Sequence, residues 1–203
     1  GYRMYPGVIL AGGGARRLGG NGKAFIDIAG VPLVQLTITS FQDQVNNLAI
    51  NSRDSKIFSD FSIPIIEDTV IEDGGAGPLA GISSAIKWAK TLKNIKTHVA
   101  IVPVDTPLLP IDLVQRLSLD LSINNSDIIM ASSNGNIYPV IGLWSLALDS
   151  YLDKALYKGV RKIDAFTRLF NVSVVDWAFN SIDPFFNINQ PEDIILAEKY
   201  INS

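Results

Sequence analysis

Cysteine is missing from all 203 residues, which excludes disulfides and thiolate metal sites and fits a reducing compartment. Histidine occurs once, at His98, so no His/Cys zinc cluster can be assembled, and the position of that one histidine leaves no plausible Ser/His/Asp set. His98 also precedes the most apolar strand-like run, at the end away from the residues singled out below, and reads as structural or exposed rather than catalytic. No apolar run approaches the roughly 20 residues of a membrane span, and the N-terminus lacks a charged region followed by an apolar signal core. Charge of either sign is not in excess: 17 basic against 20 acidic residues leave a formal charge of −3. Bulk attraction to nucleic acid or to an anionic membrane is therefore not expected, and anion binding must be local. These absences lead to the expectation of a cytoplasmic protein. No internal repeat and no linker rich in proline, glycine or serine divides the chain, so residues 1–203 read as one domain.

What is present is a regular alternation of two periods. "GVIL" is a short buried strand ended by glycines, and "PLVQLTITSFQDQ" places Leu33, Leu36, Ile38 and Phe41 at helical spacing. "NNLAIN" is a second strand ending at Asn51, "DSKIFSDF" a short helix, and "IPIIED" a third strand ending in two acids. "GAGPLAGISSAIKWAKTLK" opens on Gly and Pro and puts Leu79, Ile82, Ile86 and Ala89 on one helical face. Val99 to Val104 are apolar on consecutive positions, as in a central parallel strand. "PIDLVQRLSLDL" reads as a helix with Pro110 and Asp112 in its first turn, "DIIMAS" and "YPVIGLW" as strands. Further on, "ALDSYLDKALY" and "KIDAFTRLF" look helical, "VSVVDW" is a short strand and "PEDIILAEKYI" a closing helix. Strand and helix alternating at this spacing predict an α/β protein with helices on both faces of a mostly parallel twisted sheet. A short antiparallel element is expected in the C-terminal third.

The stretch "GVILAGGGARRLGGNGKAF", residues 7–25, ends a strand in Gly12, Gly13 and Gly14, and continues through Gly19, Gly20 and Gly22 to Lys23. Glycines leave backbone amides open to an anion, and Arg16, Arg17 and Lys23 add positive charge, a combination suited to phosphates. The loop lacks the GK[ST] ending of a Walker A motif and is too long and too cationic for a dinucleotide fingerprint. Its bland alternative is a glycine turn with surface arginines. In "VPVDTPLLP", Asp105 ends the apolar central strand, where ligands of open α/β sheets sit. One carboxylate there suits Mg²⁺, which completes its shell with water and phosphate oxygens, although an Asp before Thr-Pro also suits a cap or turn. Asp68, in the acidic loop after the third strand, is a hydrogen-bond acceptor for a base or ribose, or simply a solvated acid. Of Asn187 and Asn189 in "FFNINQPEDI", one is a candidate metal ligand through its carbonyl, or Asn189 simply caps the helix. Glycine loop, cations and strand-end aspartate together favour chemistry on phosphates, which needs alignment and charge neutralisation more than acid–base groups.

"LAGGGARRLGGNGK", Leu10 to Lys23, resembles the opening motif of the nucleotidyltransferases that make sugar nucleotides and related pyrophosphates. Within that superfamily the chain most resembles the bacterial molybdenum cofactor guanylyltransferases. "AINSR", "GPLAG", "VPVDTPLLP", "YPVIGLW", "RKIDAF" and "FFNINQPEDI" follow in the family's order, so the resemblance covers essentially the whole chain. It implies a three-layer αβα fold of Rossmann-like nucleotidyltransferase type and transfer of GMP from GTP to molybdopterin, with release of pyrophosphate. It implies that backbone around Leu10, Ala11, Gly12 and Gly13, with Gly81, holds guanine and ribose, and that Asn51 and Asp68 lie on the nucleoside side. Lys23 would contact phosphate, Arg17 would neutralise triphosphate charge, and Asp105 would hold Mg²⁺; these three would be the catalytic residues. Asn187 and Asn189 would line the opposite side near metal or molybdopterin, with Arg161 and Lys162 on the pterin-side surface. Partners implied are GTP, molybdopterin, and molybdenum-insertion or molybdoenzyme maturation proteins. No general base is required, because a phosphate nucleophile is already anionic at pH 7. Two positions depart from the family pattern: Gly22 stands where an acid is expected, and Tyr138 where the block commonly begins with His. A CTP-dependent or sugar-phosphate nucleotidyltransferase and a non-catalytic nucleotide-binding protein are the other readings of the same residues.

Overall fold

The computed structural model describes residues 4–12, 22–68, 77–93 and 96–203. In chain order the strands and helices are β1 (Gly7–Leu10), β2 (Asp27–Ile28), β3 (Val31–Pro32), α1 (Leu33–Phe41), β4 (Leu48–Asn51), β5 (Ile65–Ile66) and α2 (Gly77–Lys90). They continue with β6 (His98–Pro103), α3 (Leu113–Asn124), β7 (Ile128–Ser133), β8 (Asn136–Ser145), α4 (Asp149–Tyr157), α5 (Ile163–Thr167), β9 (Val172–Trp177) and α6 (Pro191–Ile201). Seven strands form one sheet in the order β5-β4-β1-β6-β8-β7-β9, and β2 and β3 make a separate small ribbon.

The consecutive apolar residues of β1 and β6 are buried on both faces, as the sequence pattern required. On one face, α1 and α3 press Val34, Ile38, Phe41, Leu113, Leu117 and Leu121 onto Ile9, Ile50, Ala100 and Leu143. On the other, α2, α4 and α5 cover Val8, Ala49, Val99, Ile101 and Trp144. The expected α/β architecture with helices on both sides is the one found. α6 stands apart from both layers: its Ala197 packs with Ile28, Leu33 and Ile188 beside the β2–β3 ribbon.

Leu10 is in register with Asn51 on one side and with Pro103 on the other, so β4, β1 and β6 end level with one another. The chain leaves β1 toward β4 and β5, then returns to place β6 on the opposite flank. That reversal makes the carboxyl end of β1 and β6 a topological switch point, where open α/β sheets leave a crevice.

Several elements differ from the expectation. The antiparallel element is not a short accessory: β8 is ten residues long and lies inside the sheet, antiparallel to both β6 and β7. An Asn134-Gly135 turn with φ of 44° and 86° produces it, the left-handed pair that a two-residue hairpin needs. Neighbouring Met130 and Ala131 pair with Gly142 and Tyr138, so residues 139–141 bulge out of the ladder. The third strand shrinks to Ile65–Ile66, and "DSKIFSDF" forms only a 3₁₀ turn, Ser55–Phe58. α3 starts at Leu113, because the Asp112 carboxylate accepts a hydrogen bond from Trp177 Nε1 (3.0 Å) instead of entering the first turn. α5 spans only Ile163–Thr167. Among the described residues, no helix is long and apolar enough to cross a membrane.

Candidate active site

One side of the crevice is assembled from the ends of β1, β4 and β5 and the first turns of α2. Beyond the strands the backbone stays paired: Ala11 N donates to Asn51 O (2.7 Å) and Val104 N to Leu10 O (2.9 Å). Asn51 is buried at the end of β4, and its Nδ2 donates to Ile66 O (3.1 Å) and to Asp68 Oδ1 (2.7 Å). Ser84 Oγ, from α2, donates to the same Asp68 oxygen (3.1 Å). Both donors thus converge on Oδ1, and among the described residues Asp68 Oδ2 and Asn51 Oδ1 accept nothing. They face the glycines: a Cβ on Gly12 would lie 3.5 Å from Asn51 Oδ1 and 3.7 Å from Asp68 Oδ2. A Cβ on Gly81 would come within 2.7 Å of Asn51 Oδ1 and 3.3 Å of Leu10, so the close approach of α2 to β4 demands glycine there. Leu10, Ala11, Gly12, Asn51, Asp68 and Gly81 therefore share one pocket edge, with the Arg53 stem 4.0 Å from the Gly12 position.

A second cluster is centred on Lys23 and Asp105. Lys23 begins the 3₁₀ turn Lys23–Phe25, and Gly22 before it adopts φ 83°, ψ 160°, a conformation that an L side chain rarely takes. That geometry accounts for glycine at a position where the family resemblance led to an acid. The partner of Lys23 comes from across the cleft: Lys23 Nζ donates to Asp105 Oδ2 at 2.8 Å and to Asn189 Oδ1. Both charged side chains are mostly covered, at 15% and 23% exposure, so the pair sits in a half-screened crevice. Asp105 is pinned by its own backbone, whose carbonyl accepts Ile188 N (2.9 Å), while Thr37 Oγ1 donates to Val104 O (2.7 Å). Thr106 Oγ1 donates to Asn187 Oδ1 (2.9 Å). The alternative role of Asn189 as a helix cap is not what the chain uses. Gln190 is the N-cap of α6, and Asp193 Oδ2 takes both Asn189 N and Gln190 N (2.8 Å each).

Asp105, Asn187 and Asn189 bring one carboxylate and two carboxamides together, an all-oxygen set that suits a hard divalent cation. Among the described residues no group of three or more His, Cys, Asp or Glu side chains could hold a metal. A cation here would thus draw its remaining ligands from water and phosphate, the habit of Mg²⁺.

Next to the loop with the two asparagines, Tyr138 Oη donates to Asp183 Oδ2 (2.6 Å), and its ring lies 5.4 Å from that of buried Phe185. Asp183 Oδ1 accepts Phe185 N (2.8 Å), so this carboxylate ties β8 to the loop that carries both asparagines. Burial and the Asp183 carboxylate hold the Tyr138 hydroxyl above its ordinary pKa, so it stays a neutral donor. The Arg161 guanidinium turns back to the carbonyls of Leu156 and Val160 (3.1 and 3.0 Å), while its own carbonyl abuts Gly77. Lys162 is exposed at the start of α5. His98 is buried at the opposite end of β6, with Nε2 on Ser126 O (3.0 Å) and Nδ1 on Thr97 Oγ1 (2.8 Å). Gly13 and Arg17, with Gly14, Arg16, Gly19 and Gly20, lie outside the described residues. Sequence reading did not single out Ser84, Thr106 or Asp183. Their only signal was a polar residue in an otherwise apolar helix face or beside a motif residue.

Residues 7–171 match the family model of the MobA-like NTP transferase domain. A molybdenum cofactor guanylyltransferase from Rhodopseudomonas palustris (strain BisB5) is 39% identical over 196 residues, covering 96% of this chain and 92% of its own. Among solved structures, molybdopterin-guanine dinucleotide biosynthesis protein A from Archaeoglobus fulgidus superposes with a TM-score of 0.76 at 21% identity, over 97% of this chain and 98% of that one. A Mycobacterium tuberculosis H37Rv protein crystallised in complex with manganese has the same fold, with a TM-score of 0.65 at 13% identity over 97% and 98% of the two chains.

Proposed function

The chain belongs to the MobA-like NTP transferase family, and from that premise we propose how its residues divide the work of guanylyl transfer. It is a nucleotidyltransferase of the molybdenum cofactor guanylyltransferase type, moving GMP from GTP to molybdopterin and releasing pyrophosphate. The observation that carries the division is the pair of acceptors, Asn51 Oδ1 and Asp68 Oδ2, that take no hydrogen bond among the described residues, together with the Lys23–Asp105 ion pair.

Guanine presents two adjacent donors, N1–H and the 2-amino group, to two such acceptors. Adenine and cytosine each place a ring-nitrogen acceptor beside their amino group, which would face a carbonyl or carboxylate oxygen. Each unmet buried partner costs about 1–3 kcal/mol, roughly tenfold or more in affinity. Gly12 and Gly81 leave the floor bare so that base and ribose can approach the backbone. Lys23 exchanges Asp105 for phosphate oxygens when the triphosphate enters, and Arg17 adds charge to the same end. Asp105, with Asn187 and Asn189, would hold a divalent cation, Mg²⁺ in this reading, which supplies charge neutralisation on the reacting phosphates. A terminal phosphate oxygen of molybdopterin attacks the α-phosphorus. The bond from that phosphorus to the bridging oxygen breaks, and its electron pair departs with pyrophosphate. Arg161 and Lys162 lie on the side from which the pterin enters. The absence of cysteine fits a cytoplasmic setting, and the product would pass to molybdenum-insertion or molybdoenzyme maturation proteins.

Competition binding tests the base assignment. With Mg²⁺ present and the acceptor absent, GTP should displace CTP and ATP with at least a tenfold advantage. Equal affinity for CTP would remove the guanine assignment.

A further inference from the structure

Thr106 is fully buried beneath the site and is not among the residues to which any binding or chemical role has been given. Its single hydroxyl proton goes to Asn187 Oδ1 at 2.9 Å, and Thr106 Oγ1 itself lies 3.4 Å from Asp105 Oδ1, so the hydroxyl stands between the two side chains. Alongside, Ile188 N donates to Asp105 O at 2.9 Å. Residues 105–106 and 187–188 are therefore joined twice, once through backbone and once through this hydroxyl. The two segments are 81 residues apart in sequence: 105–106 belong to the turn that follows β6, and 187–188 to a loop. The backbone bond fixes the path of the loop, but it leaves the Asn187 carboxamide free to rotate. Among the described residues, the hydrogen bond that holds that torsion comes from the Thr106 hydroxyl. A carboxamide oxygen has two acceptor sites, so taking the Thr106 proton leaves Asn187 Oδ1 one lone pair for a cation.

We infer that Thr106 is a positioning residue for the divalent-cation site, holding Asn187 Oδ1 at a set distance from the Asp105 carboxylate. The inference rests on the reading of Asp105 and Asn187 as cation ligands. It adds a residue that touches neither cation nor substrate and acts through Asn187. Outer-shell partners of this kind typically change metal affinity 10- to 100-fold when removed. Valine replaces the hydroxyl by a methyl of the same shape, whereas serine keeps the donor.

The test is a Mn²⁺ titration of the full-length chain without nucleotide, read from the electron paramagnetic resonance signal of free Mn²⁺, with guanosine binding measured on the same samples. Wild type should bind Mn²⁺ at a site that Asp105→Ala abolishes. Thr106→Val should weaken that site about 10- to 100-fold with guanosine affinity unchanged, and Thr106→Ser should stay within about threefold of wild type. In an Asn187→Ala background, Thr106→Val should add no further loss. Should Thr106→Val fail to fold, Thr106→Ala takes its place with the same expectation. Wild-type Mn²⁺ affinity in the folded Val or Ala variant, or an additive loss in the Asn187→Ala background, overturns the role of Thr106 alone. Wild-type protein with no Asp105-dependent Mn²⁺ site overturns the cation reading itself, and Thr106 falls with it.

Discussion

On the nucleoside side of the crevice, Leu10, Asn51 and Ile66 end three adjacent parallel strands in register, and the binding atoms follow from where those strands stop. On the proposed acceptor side the asparagine loop belongs to no strand; beside one backbone bond, Ile188 N to Asp105 O, its polar side chains are held by bonds from distant residues: Tyr138 to Asp183, Thr106 to Asn187, Lys23 to Asn189. The first half is preorganised by the sheet, because a parallel ladder places neighbouring ends without help from side chains. The second half depends on a few polar side chains, each replaceable by one mutation. Damage to the two halves should therefore read out differently.

The largest expected effect is at the seam. Asp105→Ala removes the carboxylate paired with Lys23 beside Asn187 and Asn189, and turnover should fall at least about 100-fold, since metal-type charge neutralisation is worth several kcal/mol. Circular dichroism should show the fold intact. Retention of near wild-type rates across Mg²⁺ concentrations would remove Asp105 from the chemistry and dissolve the contrast between the halves.

Next comes Lys23→Ala. Hydrogen bonds to charged groups are worth about 1.5–3 kcal/mol, so GTP affinity should drop roughly 10- to 100-fold. Guanosine, which meets only the nucleoside half, should bind as before. Equal losses for both ligands by calorimetry would move Lys23 to the nucleoside side.

Tyr138→Phe probes the acceptor half by itself. Losing the hydroxyl donor to Asp183 should cost about 1 kcal/mol, a fall of roughly 2–4 °C in thermal midpoint. KM for molybdopterin should rise while GTP affinity stays constant. A change in GTP affinity would show that the two halves are coupled through β8.

The smallest effect lies at the far end of the sheet. Burial lowers the His98 pKa, and the Ser126 carbonyl and nearby Asp127 only partly offset it. The unfolded chain, with His near 6.5, then binds a proton that the folded chain refuses. Stability is fully present above about pH 6.5 and declines as pH falls through the folded pKa. Urea midpoints between pH 7.5 and 5 should show this slope, and His98→Gln should flatten it without touching GTP affinity at neutral pH.

The nucleoside half was largely legible in the sequence, and the physical reason is locality. Apolar runs mark where a strand is buried, and glycine marks where backbone must approach closely, as Gly81 does against Asn51. Asn51 and Asp105 could be located because each ends such a run. The separation of Lys23 from its partners, 82 residues to Asp105 and 166 to Asn189, leaves no local trace. Periodicity encodes which face is buried, not which distant group a polar side chain will meet. That choice belongs to packing: β8 enters between β6 and β7, α6 docks on the β2–β3 ribbon, and only then do Thr106, Asn187, Tyr138 and Asp183 stand within bonding distance. The sequence by itself determined an α/β sheet with helices on both faces, with Asn51 and Asp105 where two of its apolar runs stop. The tertiary structure alone decided that Lys23 is oriented by Asp105 and Asn189 rather than by a neighbour at position 22, where the backbone admits only glycine without strain.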